Sequence, residues 1–273
     1  MIRPMYVDSH CHLSFPELTA RLPEIRADMQ AAGVDRALCI CTTLEEFAQV
    51  HALATQHANF WCSVGVHPDE EGATEPSVDD LVQRAALPKV VALGETGLDY
   101  YRLNGRSIDD MEWQRERFRV HIRASRITGK PLVIHTRSAS DDTLAVLREE
   151  GSGITGVFHC FTETMAVATA ALDLGFMISF SGILTFKTAH ELREVARHVP
   201  LDRCLIETDS PYLAPMPFRG KTNTPAYVPY VARQIAALKG IEPEEVARVT
   251  SRNFEMLFGV PPLDEKGHDD VHP

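Results

Sequence analysis

Short β-like runs alternating with amphipathic stretches along the whole chain constrain this sequence more than any other feature. The runs are MYVDSHCH, RALCICT, FWCSVGVH, VVALGET, PLVIHT, TGVFHCF, FMISFSG and RCLIETD. Between them apolar residues recur at helical spacing over 18–32, 45–57, 111–128, 141–150 and 165–174, most of these stretches bounded by Gly, Pro or a polar cap. Such alternation predicts a parallel sheet covered by helices. Eight units in a chain of this length predict an α/β fold of the closed (β/α)8 TIM-barrel type, with a doubly wound open sheet as the second choice. No composition shift, linker or internal repeat divides the sequence, so a single barrel domain is expected over 1–259. A polar, Pro-bounded, disordered tail is expected over 260–273, with His268 and His272 as solvated residues among acids.

Composition narrows the classes. The chain of 273 residues is 44% hydrophobic and 24% charged, ordinary globular material long enough for one large α/β domain or two small ones. No leader-like segment precedes the first strand and no apolar run approaches the roughly 20 residues that cross a bilayer, so a soluble, cytoplasmic protein without membrane association is expected. The 6 cysteines, Cys11, Cys39, Cys41, Cys62, Cys160 and Cys204, lie mostly inside apolar runs and are expected as reduced, buried thiols. Cys39 and Cys41 have no partner pair at zinc-finger spacing. A formal net charge of −11 excludes a protein that coats nucleic acid by bulk electrostatics, so a polyanionic substrate must be handled locally.

In a barrel the chemistry gathers where the strands end, because the βα loops there form one mouth. Strand 1 ends in His10 and His12, which strand alternation would place on one face; strand 3 ends in His67, strand 4 in Glu95, strand 5 in His135, strand 6 in His159 and strand 8 in Asp209. Each alone is an ordinary residue. Together on one rim they predict a metal centre, because burying several ionisable groups without a cation costs several kcal/mol. The set exceeds what one tetrahedral ion takes, and a carboxylate can bridge two. The expected division gives His10, His12 and Asp209 to one ion, His135 and His159 to the other, and Glu95 to both. Two cations roughly 3.5–4 Å apart would hold a water as hydroxide and stabilise charge on the attacking and leaving oxygens, which is hydrolytic chemistry. A carbamylated lysine as the bridge is rejected, because Lys89 and Lys130 precede their strands.

These motifs resemble the TatD family of metal-dependent deoxyribonucleases within the amidohydrolase-like barrels, through DSHCHL, GVHP, GETGLDYY, HTR, FHCF and ETDSPYL, followed by RGKTN. The resemblance runs from Asp8 to about Phe258. It implies a site for two divalent cations per subunit, Zn, Mn or Mg, carried by His10, His12, Glu95, His135, His159 and Asp209. It also implies hydrolysis of phosphodiester bonds, with 3′→5′ exonuclease action on single-stranded DNA or RNA as the expected form. Two positions depart from the family pattern: Asp69 stands where a second His usually follows GVHP, and Thr222 and Thr224 stand in RGKTNTP where a basic and an acidic residue are usual.

Around that core, Asp209, Glu95 and His67 are the expected catalytic groups. Asp209 would orient the nucleophile or take its proton, and His67 would contact a substrate phosphate or the leaving group. Arg102, Arg137, Arg219 and Lys221 are expected to bind substrate anions. Glu207, in register with Asp209, is expected to orient a His ligand, and Asn223 to fix the loop carrying Arg219 and Lys221. Tyr100 and Tyr101 would either stack on a base or pack their loop. His51, His57, His121, His190 and His198 fall in helical stretches and are expected to be structural. No obligate protein partner is expected. The competing functions are a small-molecule amidohydrolase or esterase, a D-aminoacyl-tRNA deacylase using the same site, and a nucleic-acid-binding scaffold without turnover.

Overall fold

The computed structural model describes residues 5–262. Most of the expected tail, including His268 and His272, lies outside the described residues. Among the described residues there are eight strands: β1 (Tyr6–Cys11), β2 (Val34–Cys39), β3 (Phe60–Val64), β4 (Val90–Asp99), β5 (Leu132–Arg137), β6 (Gly156–Phe158), β7 (Met177–Phe180) and β8 (Cys204–Ile206). They pair in parallel, in sequence order. The helices are α1 (Pro16–Thr19), α2 (Leu22–Ala32), α3 (Phe47–Gln56), α4 (Val78–Ala85), α5 (Glu112–Thr128), α6 (Ser140–Glu150), α7 (Met165–Asp173), α8 (His190–His198), α9 (Val228–Lys239) and α10 (Pro243–Phe258). This is a (β/α)8 barrel. The helical spacing over 18–32 predicts one continuous helix, whereas the chain breaks between α1 and α2. Pro23 has no N–H for the carbonyl of Thr19, and its ring crowds that carbonyl.

Two apolar layers follow from strand alternation. Val7, Leu38, Ala92, Val133, Val157 and Leu205 point into the barrel, where Phe254 and Phe258 of α10 plug one end. The opposite strand faces pack against the helices. Each fully buried Leu, Val or Phe contributes about 1.5–3 kcal/mol, so the plugged end is the stable, dry end and the polar residues are left to the other. All 6 cysteines are free thiols, and every one except Cys160 is buried. Lys89 and Lys130 donate to the carbonyls of Ala58 and Val90, before β3 and at the start of β4, remote from the strand ends that carry Glu95 and His135. Among the described residues no helix is long and apolar enough to cross a membrane.

The ring closes beyond the end of β8. There the Asp209 N–H donates to the His10 carbonyl at 2.9 Å and the His12 N–H to the Ser210 carbonyl at 2.8 Å. Asp8, fully buried at this seam, accepts from the Thr208 N–H at 2.9 Å, from the Thr208 hydroxyl and from the His10 N–H at 3.2 Å. Burial pushes its carboxyl up to about 8 against these hydrogen bonds. The seam also corrects the expectation of strict alternation in β1. Val7 faces the barrel interior, so an unbroken strand would send residues 9 and 11 inward after it. The pairing register shifts between Asp8 and Cys11, Cys11 joins the helix-facing core, and His10 and His12 turn to the mouth.

Candidate functional site

A cavity of about 640 Å³ opens where the strands end, lined among others by His12, His67, Glu95, His135, His159 and Asp209. Glu95 stands at its centre. Its Oε2 lies 3.3 Å from His10 Nε2 and 4.0 Å from His12 Nε2. Its Oε1 lies 2.8 Å from His159 Nε2, 3.2 Å from His135 Nδ1 and 3.3 Å from His67 Nε2. Asp209 Oδ1 joins the first side, 3.4 Å from His12 Nε2 and 3.6 Å from His10 Nε2. One carboxylate oxygen thus faces each half of the cluster. Two glycines make this reach possible. Gly94 has φ +148°, and a Cβ there would sit 2.7 Å from the Val133 carbonyl oxygen. Gly97 has φ +125°, and a Cβ there would sit 2.0 Å from the His135 carbonyl oxygen. Asp209 itself has φ +56°, in the left-handed region that Asp and Asn tolerate best among residues with a side chain.

The donor set fits a metal. His10 Nε2 and His12 Nε2 lie 3.3 Å apart and His159 Nε2 and His135 Nδ1 3.4 Å apart. A tetrahedron with bonds of 2.0–2.1 Å has edges of about 3.3 Å. Three groups of side chains have ligand atoms close enough to hold an ion: His10, His12 and Asp209; His10, Glu95 and His159; His67, Glu95 and His135. The field inside favours positive charge. Burial alone would raise Glu95, but the imidazoles of His159, His67 and His10 hold its carboxyl well below the usual range. Burial would likewise raise Asp209, which His12 and His10 hold down. Burial would lower His159, yet Glu95 and Glu207 lift it well above its ordinary value. Burial would lower His12 and His135 as well, but Asp209 raises the one and Asp99 with Glu95 the other, whereas burial and His159 push His10 down.

Carboxylates behind the histidines decide which ring nitrogen each offers. Glu207 Oε1, fully buried, lies 3.2 Å from His159 Nδ1 and accepts the Cys160 N–H at 2.8 Å, which leaves His159 Nε2 free for the cluster. The sequence reading anticipated that residue. It missed Asp99, whose Oδ2 lies 3.0 Å from His135 Nε2 and so turns Nδ1 inward. Asp99 is fixed in turn by Gln114, which exchanges hydrogen bonds of 2.9 and 3.0 Å with its backbone N–H and carbonyl. The i, i+4 spacing from Glu95 to Asp99 within one strand was the available signal. Asp99→Asn should weaken metal binding about 10–100-fold while leaving the fold intact, and a competition titration with a chromophoric chelator measures it.

His67 differs from the other rings. Its Nδ1 accepts the Asp69 N–H at 3.0 Å, so the neutral ring carries its proton on Nε2 and presents an N–H donor to the mouth. The loop that holds it is clamped from α5. Arg117 Nη1 donates to the His67 carbonyl at 2.7 Å and to that of Glu70 at 3.1 Å. His121 Nε2 accepts the Val66 N–H at 3.1 Å while its Nδ1–H donates to the Arg117 carbonyl at 2.8 Å. Burial pulls His121 down to about 4. A folded-state value below the unfolded 6.5 means the unfolded chain binds the extra proton, so this stability is present above about pH 6.5 and lost as pH falls toward 4. His121→Gln should be the less stable protein at pH 7. The gap should narrow by up to about 3 kcal/mol on going to pH 4, as urea unfolding of both proteins across that range will show.

The remaining predicted residues divide. Arg102 and Arg137 line the cavity, Arg102 lying 3.8 Å from Asp69 and Arg137 with its guanidinium 3.6 Å over the Tyr101 ring. Tyr101 is exposed, whereas Tyr100 is buried and donates to Asp142 at 2.7 Å, a packing role. Arg219 and Lys221 stand on the loop after β8, outside the cavity lining, beside the rings of Phe186 and Phe218. Asn223 donates to the carbonyls of Thr208 at 2.8 Å and Tyr212 at 2.6 Å, so it ties that loop to the turn carrying Asp209. His51 lies on α3, His190 and His198 on α8, and His57 follows the last residue of α3; none of them lines the cavity.

Imidazoles and carboxylates gathered at the strand ends of a parallel (β/α)8 barrel, with acids behind them setting the ring nitrogens, define a metal-dependent hydrolase. The chain belongs to the TatD family: the family model described as TatD related DNase matches residues 7–259. It is 48% identical to a protein of Escherichia coli (strain K12) called an uncharacterized metal-dependent hydrolase, YcfH, over 93% of this chain and 96% of that one. It is 33% identical to a protein of Klebsiella pneumoniae (strain 342) called 3'-5' ssDNA/RNA exonuclease TatD, over 87% of this chain and 91% of that one. Among solved structures, that of the TatD homologue YjjV from Escherichia coli K12 superposes with a TM-score of 0.87 at 28% identity, covering 96% of this chain and all of the other.

Proposed function

We propose that this protein is a divalent-metal-dependent 3′→5′ exonuclease acting on single-stranded DNA or RNA, working in the cytoplasm as a single domain without an obligate protein partner. The observation that carries the hydrolytic part is the Glu95 carboxylate, with one oxygen toward His10 and His12 and the other toward His135 and His159. The activity named for the Klebsiella pneumoniae relative supports the choice of bond. His10, His12 and Asp209 would hold one cation and His135 and His159 the other, with Glu95 shared; Zn, Mn or Mg suits the site. Bound there, the cations would acidify a water and neutralise charge on the oxygens of the scissile phosphate.

The chain's own groups then have separable tasks. Asp209, which opens onto the cavity, accepts the proton of the attacking water. His67 donates its Nε2–H to a phosphate oxygen or to the leaving oxygen. Arg137 and Arg102 place the phosphate, and Arg219 and Lys221 contact the strand beyond the mouth. Glu207 and Asp99 act through His159 and His135, whose ring orientation they fix. The test is digestion of a 5′-labelled single strand by the metal-loaded protein. A ladder that shortens from the 3′ end and vanishes with chelator is expected. No cleavage by protein shown to hold metal would overturn the proposal and direct the search to carbonyl substrates such as aminoacyl esters.

A further inference from the structure

The loops around the mouth divide by charge. Residues 12–20, 40–46 and 65–77, which follow β1, β2 and β3, include Glu17, Glu45, Glu46, Asp69 and Glu70 and contain no Lys or Arg. Residues 181–189, which follow β7, and residues 210–224, which follow the cluster acids Glu207 and Asp209 beyond β8, include Lys187, Arg219 and Lys221 and contain no Asp or Glu, while residues 159–164 after β6 carry one acid, Glu163, which accepts the Ser140 hydroxyl at 2.6 Å. Arg137, at the end of β5, stands on the same side. All four of these cations are exposed, and none has a carboxylate partner among the described residues. Arg102, between the two halves, is the lining cation that meets an acid, Asp69. In a protein of net charge −11 this is a local concentration of free positive charge.

The cations also sit on rings. Arg137 lies 3.6 Å over Tyr101, Arg219 4.4 Å over Phe186 and Lys221 Nζ 5.7 Å from the Phe218 centroid. Phe218 stacks on Tyr227 at 4.1 Å, so Tyr101 is the exposed ring of the three, and an exposed ring beside backbone-neutralising charges is what an unpaired nucleic-acid strand uses, with stacking worth roughly 1–3 kcal/mol per base. The Met216 N–H donates to Thr185 Oγ1 at 2.8 Å, so the two cationic loops are tied into one surface.

We infer that a single-stranded nucleic acid occupies only the half of the mouth built by the loops after β5, β7 and β8, while the acidic loops after β1–β3 repel any further phosphate, so the reacting nucleotide is a chain end. The inference rests on the exonuclease reading above and supplies its physical cause: the strand leaves on one side, and continuing past the cluster would carry phosphates between Glu17, Asp69 and Glu70.

The experiment uses fluorescence anisotropy of a labelled phosphorothioate single strand, which resists cleavage, with divalent metal present and salt varied from about 50 to 200 mM. The combined variant Lys187→Ala, Arg219→Ala, Lys221→Ala should flatten the slope of log K against log salt by about 2, at about 0.7 per lost cation. Glu17→Gln, Glu70→Gln should leave it unchanged or steepen it. These side chains are exposed or half-buried at the surface, so folding is not at risk. An unchanged slope in the triple variant, or an equal flattening in the acid pair, would overturn the inference. In parallel, wild-type protein should degrade a linear strand and spare a circular one, and cutting of the circle also overturns it. Failure on both strands with the expected slope change would reject the nuclease reading and keep the polarity; a degraded linear strand with no slope change would do the reverse.

Discussion

Glu95→Gln should reduce turnover by on the order of 10³-fold or more, equivalent to about 4 kcal/mol of transition-state stabilisation. Gln fills the same volume between Gly94 and Gly97, so the barrel should keep its circular dichroism. What disappears is the negative charge lying within 2.8–3.3 Å of His159, His135, His67 and His10. An amide cannot give an anionic oxygen to both halves of the cluster. The loss should therefore appear in kcat whatever the substrate, and raising the metal concentration should recover only part of it. A variant with near-normal turnover would remove Glu95 from the centre of the mechanism.

Asp209→Asn should lower kcat by about 10²–10⁴-fold with little change in substrate affinity, the pattern of a lost proton acceptor in the transition state. Asn is the informative replacement because it tolerates the φ of +56° that residue 209 adopts, whereas Ala would add backbone strain. The seam should survive, since the backbone N–H of residue 209, which donates to the His10 carbonyl at 2.9 Å, is untouched. Steady-state kinetics of the metal-saturated variant, with its metal content and melting temperature as controls, separates this role from lost metal and from a structural one. Unchanged kcat would assign the proton transfer elsewhere.

Much of this site was legible because a barrel sends one end of every strand to the same place. A histidine or acid at the end of β1, β3, β4, β5, β6 and β8 is a pattern that local sequence carries in full. The helical histidines were legible for the complementary reason, and His121 is the example: mid-helix, buried and satisfied by two backbone partners. What escaped depends on hydrogen bonds between side chain and backbone. Period-2 alternation gives no sign that Asp8 would accept the His10 N–H and that the register of β1 would shift just there. Nor does the motif GVHP show that the Asp69 N–H would occupy His67 Nδ1 and fix which nitrogen faces the mouth. Asp99 lay within a motif already singled out, and its parity with Glu95 was readable. The charge division around the rim was also present in the loop sequences, but it acquires meaning only when the order of the strands places those loops side by side.

The most direct measurement of the central claim, that the Glu95 carboxylate is shared between two ion sites, is the number of metal ions bound per chain. Purified protein titrated with Zn or Mn and counted by inductively coupled plasma mass spectrometry should hold two equivalents, and Glu95→Gln should hold one or none. A single equivalent in the wild-type protein, or two equivalents retained in the variant, would contradict it.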